Sequence, residues 1–82
     1  MSLEIGTIVK SLKGRDKDKY FCVVRTEGGY VYICDGKERK LCAPKRKSIK
    51  HIQPTPAKLQ TETLQVDKHI TKAIKALNIV EE

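Results

Sequence analysis

Tyr20-Phe21-Cys22-Val23-Val24-Arg25-Thr26-Glu27-Gly28-Gly29-Tyr30-Val31-Tyr32-Ile33-Cys34 is the stretch on which the fold turns. Two runs rich in β-branched and aromatic residues flank a Gly-Gly pair, and such a pair supplies the positive φ angles that a two-residue hairpin turn requires. With Gly28 and Gly29 as the turn, Glu27 faces Tyr30, Val24 faces Ile33 and Val23 faces Cys34. That register sorts the side chains into two sets. Cys22, Val24, Val31 and Ile33 form a wholly apolar face, expected to line the core. Phe21, Val23, Arg25, Tyr30, Tyr32 and Cys34 form a mixed aromatic and basic face. The mixed face either stacks bases or is covered by the C-terminal segment, and covering is preferred because so lean a chain seldom leaves Phe21 and Val23 bare.

Upstream of the hairpin, Gly6 to Leu12 reads as a strand and Lys13 to Lys19 as a polar loop. Downstream, Asp35-Gly36 marks a turn, Leu41-Cys42-Ala43 a short strand stopped by Pro44, and Ser48 to Gln53 a fifth strand anchored by Ile49 and Ile52. Five short strands on some fifty residues suit a small, strongly bent barrel, and the fold class expected is mostly β. Gln53-Pro54-Thr55-Pro56 then breaks the chain, because each proline removes a donor and restricts its predecessor. Beyond it the period changes. Val66, Ile70, Ala73, Ile74 and Leu77 make one apolar stripe at helical spacing. The expected organisation is a barrel over 1–55, a linker over 56–64 and an amphipathic helix over 65–80. A lone helix of this length is marginal in water, so its stripe docks on its own barrel, on a partner protein or on a second copy.

At 82 residues the chain has room for one compact core and no deep substrate cavity. Its apolar runs are far too short to span a bilayer and no apolar signal segment leads the sequence, so a soluble, cytoplasmic protein without a membrane partner is expected. Cys22, Cys34 and Cys42 show neither disulfide nor zinc-finger spacing. They are read as small buried apolar residues of a reduced protein, a metal site using Cys42 with His51 or His69 being the lesser alternative. No nucleophile elbow, phosphate loop, paired-histidine spacing or dinucleotide fingerprint occurs, so neither an enzyme nor a cofactor is expected.

The positive signal is charge. The net charge is +7, and residues 1–56 carry thirteen Lys/Arg against six acids while residues 57–82 carry four against four. An excess confined to one segment is a footprint for a polyanion. Two clusters stand out: Lys13, Arg15, Lys17 and Lys19 in the first loop, and Lys37, Arg39, Lys40, Lys45, Arg46, Lys47 and Lys50 farther on. Flexible cationic heads on adjacent loops can follow a phosphate backbone by counterion release. Arg15, Arg39 and Arg46 add planar forks suited to bidentate contacts. Asp16 and Asp18 dilute the first cluster, serving loop turns or pairing with its own lysines.

Four stretches carry a resemblance to a known family: Gly6-Thr7-Ile8-Val9-Lys10-Ser11-Leu12-Lys13-Gly14-Arg15-Asp16, Phe21-Cys22-Val23-Val24, Tyr30 to Gly36, and Lys50-His51-Ile52-Gln53-Pro54-Thr55. Together they resemble a KOW motif in the form found in the fourteen-e group of large-subunit ribosomal proteins and its short bacterial relatives, with Gly14 at the hallmark glycine. The resemblance implies an SH3-like barrel that binds ribosomal RNA through the loop after the first strand and the basic region before the last. Residue by residue it implicates Lys13, Gly14 and Arg15, joined by Lys17 of the same cluster, and Arg39, Lys40, Lys45, Arg46, Lys47 and Lys50. A different class of function stays open, because SH3-like barrels also bind peptides or transcription and translation factors through aromatic grooves, here Tyr20, Tyr30 and Tyr32.

Overall fold

The structure is a computed structural model and describes residues 3–81. Five strands, β1 (Thr7–Ser11), β2 (Tyr20–Glu27), β3 (Tyr30–Cys34), β4 (Lys45–Ser48) and β5 (Ile52–Lys58), precede one helix, α1 (Asp67–Glu81). The strands form one antiparallel sheet in the order β4-β3-β2-β1-β5, bent into a small SH3-like barrel whose two outer strands are joined by the 3-10 turn Ile49–His51.

The Gly28-Gly29 turn pairs Glu27 with Tyr30 as the sequence implies, but the ladder slips after Arg25 and resumes with Val23 opposite Ile33 and Cys22 opposite Cys34. Val24 is the extra residue of a β-bulge, and one extra residue exchanges the faces of everything beyond it. The expected face of Cys22 and Val24 with Val31 and Ile33 is therefore corrected. Phe21 and Val23 join Val31 and Ile33, with Val9 and Ile52, inside the barrel. Cys22, Cys34 and Ile8 lie on the outer face, where α1 covers them.

The helical stripe docks on its own sheet. Ile70 and Ile74 are buried there, with Leu77 and Val24 packed at the margin. Full burial of an aliphatic side chain contributes about 1.5–3 kcal/mol, which lifts a short helix out of the marginal range. Val66 stays exposed just ahead of the helix.

The Leu41-Cys42-Ala43 strand is not formed. Leu41 instead donates its N–H to Asp67 Oδ1 at 2.7 Å and packs in the helix layer, and the fourth strand begins after Pro44. Cys42 is exposed, so only Cys22 and Cys34 are the buried thiols expected of all three. The final strand starts at Ile52 rather than Ser48 and runs through Pro54 and Pro56 to Lys58. β5 is the outermost strand beside β1, the position where a missing proline donor costs no ladder bond. Residues 61–65 form a second 3-10 turn ahead of α1.

Candidate nucleic-acid interface

The loop between β1 and β2 is organised around Asp16, whose side chain is 9% exposed. Its Oδ1 accepts from Ser11 Oγ at 2.8 Å and from Lys47 Nζ at 3.0 Å, and its Oδ2 lies 3.3 Å from Lys45 Nζ. Lys47 Nζ also donates to the carbonyl of Lys13 at 2.7 Å. One carboxylate thus ties the first loop to β4, across 31 residues of sequence. Burial alone raises the pKa of Asp16, but the hydrogen bonds from Lys47, Ser11 and Lys45 outweigh it and hold the carboxyl down at about 2. Asp16 does pair with lysines, though with those of the second cluster rather than of its own loop.

Gly14 sits on this knot at φ +90°, a left-handed conformation that side chains rarely adopt. The loop closes further through Asp18 N–H to the Ser11 carbonyl, 2.7 Å, and Lys17 N–H to the Gly14 carbonyl, 3.2 Å. At its base the Leu12 N–H donates to the carbonyl of His51, 2.9 Å, which gives His51 a backbone role and brings neighbouring Lys50 to the loop.

Alternation along β4 divides the Lys-Arg-Lys run. Lys45 and Lys47 stand opposite Ile33 and Val31 and turn to Asp16, whereas Arg46 stands opposite Tyr32 on the other face and lies 4.7 Å from the centre of the Tyr30 ring. Arg25 similarly covers Tyr32 at 5.3 Å, and Lys10 lies 5.9 Å from the Tyr20 ring. The three tyrosines each carry a cation instead of lining a bare aromatic groove.

Of the ten residues singled out from sequence, Lys13, Gly14, Arg15 and Lys17 lie on the loop, and Lys45, Arg46, Lys47 and Lys50 on or beside β4. The Asp16 knot brings these two groups together. Arg39 and Lys40 lie apart from it, on the β3–β4 connection, where the Asp35 carboxylate accepts the N–H groups of Lys37, Glu38 and Arg39. Among the described residues, Lys13, Arg15, Lys17, Arg46 and Lys50 enter no ion pair. Also among the described residues, no group of three or more His, Cys, Asp or Glu side chains is placed to hold a metal ion, and no helix is long and apolar enough to cross a membrane. The result is a loop tied down at its base by one carboxylate shared between two lysines, with exposed cations around it.

Sequence comparison gives this arrangement a family. Over 80 residues, 96% of the chain, it is 30% identical to the large ribosomal subunit protein eL14 of Pyrobaculum islandicum, covering 78% of that protein. The chain belongs to the eL14 family. Over the same span it is 31% identical to the eL14 protein of Pyrobaculum aerophilum and 29% to that of Pyrobaculum calidifontis, again with 78% of each relative covered. No protein-family model matches the chain. As an eL14-type chain it carries its loop cations on a barrel whose outer face is closed by α1.

Proposed function

We propose that this chain is a non-catalytic, ribosome-associated protein of the cytoplasm that grips the phosphate backbone of ribosomal RNA with Lys13, Arg15 and Lys17 of the first loop and Arg46 and Lys50 beside it. The observation that carries the reading is the buried Asp16 knot. It fixes the basic 12–19 loop against β4 and uses two lysines to do so, leaving Lys13, Arg15, Lys17, Arg46 and Lys50 without an ion pair among the described residues. Holding the loop in one shape removes the ordering cost that a flexible basic loop would meet on binding. Gly14 supplies the left-handed turn that the loop takes over the knot, the position a Cβ would fill lying 3.6 Å from both Asp16 Oδ1 and Lys47 Nζ. Lys45 and Lys47 act through Asp16, as supports of the loop, and Arg39 and Lys40 flank the surface. That the curated relatives are named as large-subunit ribosomal proteins supports ribosomal RNA as the partner.

The test is a titration with a fluorescein-labelled stem-loop of large-subunit ribosomal RNA at several salt concentrations. Engagement of about five phosphates gives a log-log salt slope of roughly −3.5 to −4.5. No affinity at low salt, or affinity indifferent to salt, would overturn the proposal.

A further inference from the structure

Docking of α1 redraws the charge map. Along the chain, residues 57–82 are neutral, with four lysines against four acids. In the fold, Lys68, Lys72 and Lys75 of that segment line one open cleft of about 520 Å³ with Lys37 and Lys40 of the β3–β4 connection. All five are exposed, and none is in an ion pair among the described residues. The acids nearest them are engaged elsewhere. Asp67 lines the cleft but accepts the Leu41 N–H, Asp35 accepts three N–H groups of its own turn, and Glu38 pairs with Lys19 at 3.5 Å.

This placement is unfavourable for the free protein. Lys68 and Lys72 are four residues apart, Lys72 and Lys75 three, and like charges at those spacings repel on a helix surface. No acid lies three or four residues from any of the three to offset the repulsion. Lys68 also occupies the first turn of α1, where the unpaired N–H groups disfavour a cation. A polyanion in the cleft would relieve all three terms. Apart from the lysines the lining is Gly36, Asp67 and Thr71, with no apolar side chain to anchor a protein segment, which favours a sugar–phosphate backbone over an acidic peptide.

We infer that the cleft between α1 and the 36–40 turn is a second phosphate-backbone site, continuing the RNA path from the 12–19 loop past the Lys19–Glu38 pair onto the helix. The inference rests on the reading of the partner as RNA. It gives α1 a binding role in addition to covering the sheet.

The experiment uses the full chain with Lys68→Gln, Lys72→Gln and Lys75→Gln together, beside a loop variant with Lys13→Ser, Arg15→Ser and Lys17→Ser. Both are titrated with a labelled RNA stem-loop long enough to span loop and helix. Glutamine keeps helix propensity, and circular dichroism checks that α1 persists. Each lost phosphate contact removes about 0.7–0.9 from the salt slope, so the glutamine variant should bind on the order of 100-fold more weakly at 0.1 M salt. Without RNA it should melt no lower than the parent. Unchanged affinity and slope in the glutamine variant overturns the cleft. Loss confined to the loop variant then leaves the first-loop reading standing, and loss in the glutamine variant alone does the reverse. Polyglutamate that competes as well as RNA at equal charge, through the same three lysines, would assign the cleft to an acidic protein and overturn the inference as well.

Discussion

Replacing Asp16 by alanine leaves the ammonium of Lys47, whose side chain is 9% exposed, with only the Lys13 carbonyl as a described partner, and leaves Lys45 facing it. Breaking a buried pair from one side costs about 3–5 kcal/mol, and the rim position of Lys45, 29% exposed, argues for the lower end. The depressed carboxyl gives an independent measure. Its fall from 3.8 to about 2 corresponds to about 2 kcal/mol favouring the ionised form in the folded state. Asp16→Ala should therefore lose about 2–3 kcal/mol in urea unfolding. For a domain of this size that is a fall in Tm of roughly 10–20 °C. The pH dependence has a fixed sign. A carboxyl whose folded pKa is lowered contributes fully above its unfolded value, near 4, and the contribution disappears as pH falls toward 2, so the parent should lose more stability over that window than Asp16→Ala, which keeps only the acid limb of other carboxyls such as Glu4 beside Lys58. Adding Lys47→Met to Asp16→Ala should restore at least about 1 kcal/mol, because the stranded charge is gone. A cost below about 0.5 kcal/mol, with the same acid limb in both proteins, would refute the knot as the support of the loop.

Two further outcomes check how the helix layer is built. A Cβ at Gly36 would lie 2.1 Å from the Asp67 carbonyl oxygen and 2.6 Å from Thr71 Oγ1, at φ +79°. Gly36→Ala should thus lift α1 at a cost of about 3 kcal/mol or more and open Lys68, Lys72 and Lys75 to trypsin, while Gly29→Ala, with nothing within 4 Å, should change little. Burial pushes the thiol of Cys22 up to about 12 and that of Cys34 up to about 11, whereas Cys42 is exposed. At pH 8 a disulfide reagent should consume one thiol per native molecule and three after unfolding, and fast reaction of all three in the native state would contradict the packing of α1 over Cys22 and Cys34.

The parts of this fold legible in the sequence are those written in local signals. The Gly28-Gly29 turn and the helical period of Ile70, Ile74 and Leu77 are local signals of this kind, and both elements are formed, although Gly28 alone of the pair takes a positive φ. The hairpin's inner register was not legible, because Val23 and Val24 are both apolar and alternation cannot mark which one is extra. Pro54 and Pro56 signal lost donors, which reads as a break, and only the sheet order shows that β5 is an edge strand where such losses are tolerated. The Lys45-Arg46-Lys47 run reads from sequence as three equivalent cations. Strand alternation and an aspartate 31 residues away divide it into two supports and one outward arginine. Substituting the whole run would confuse loss of the loop's support with loss of contact, so the loop residues are the cleaner probes.

The central claim is that the outward cations of the first loop hold ribosomal RNA. Its most direct test is the salt slope of the Lys13→Ser, Arg15→Ser, Lys17→Ser variant against the parent, on the same large-subunit RNA stem-loop and with unfolding midpoints matched. The variant's slope should be shallower by about 2–3, with correspondingly weaker binding at low salt. An unchanged slope in a stably folded variant would contradict it.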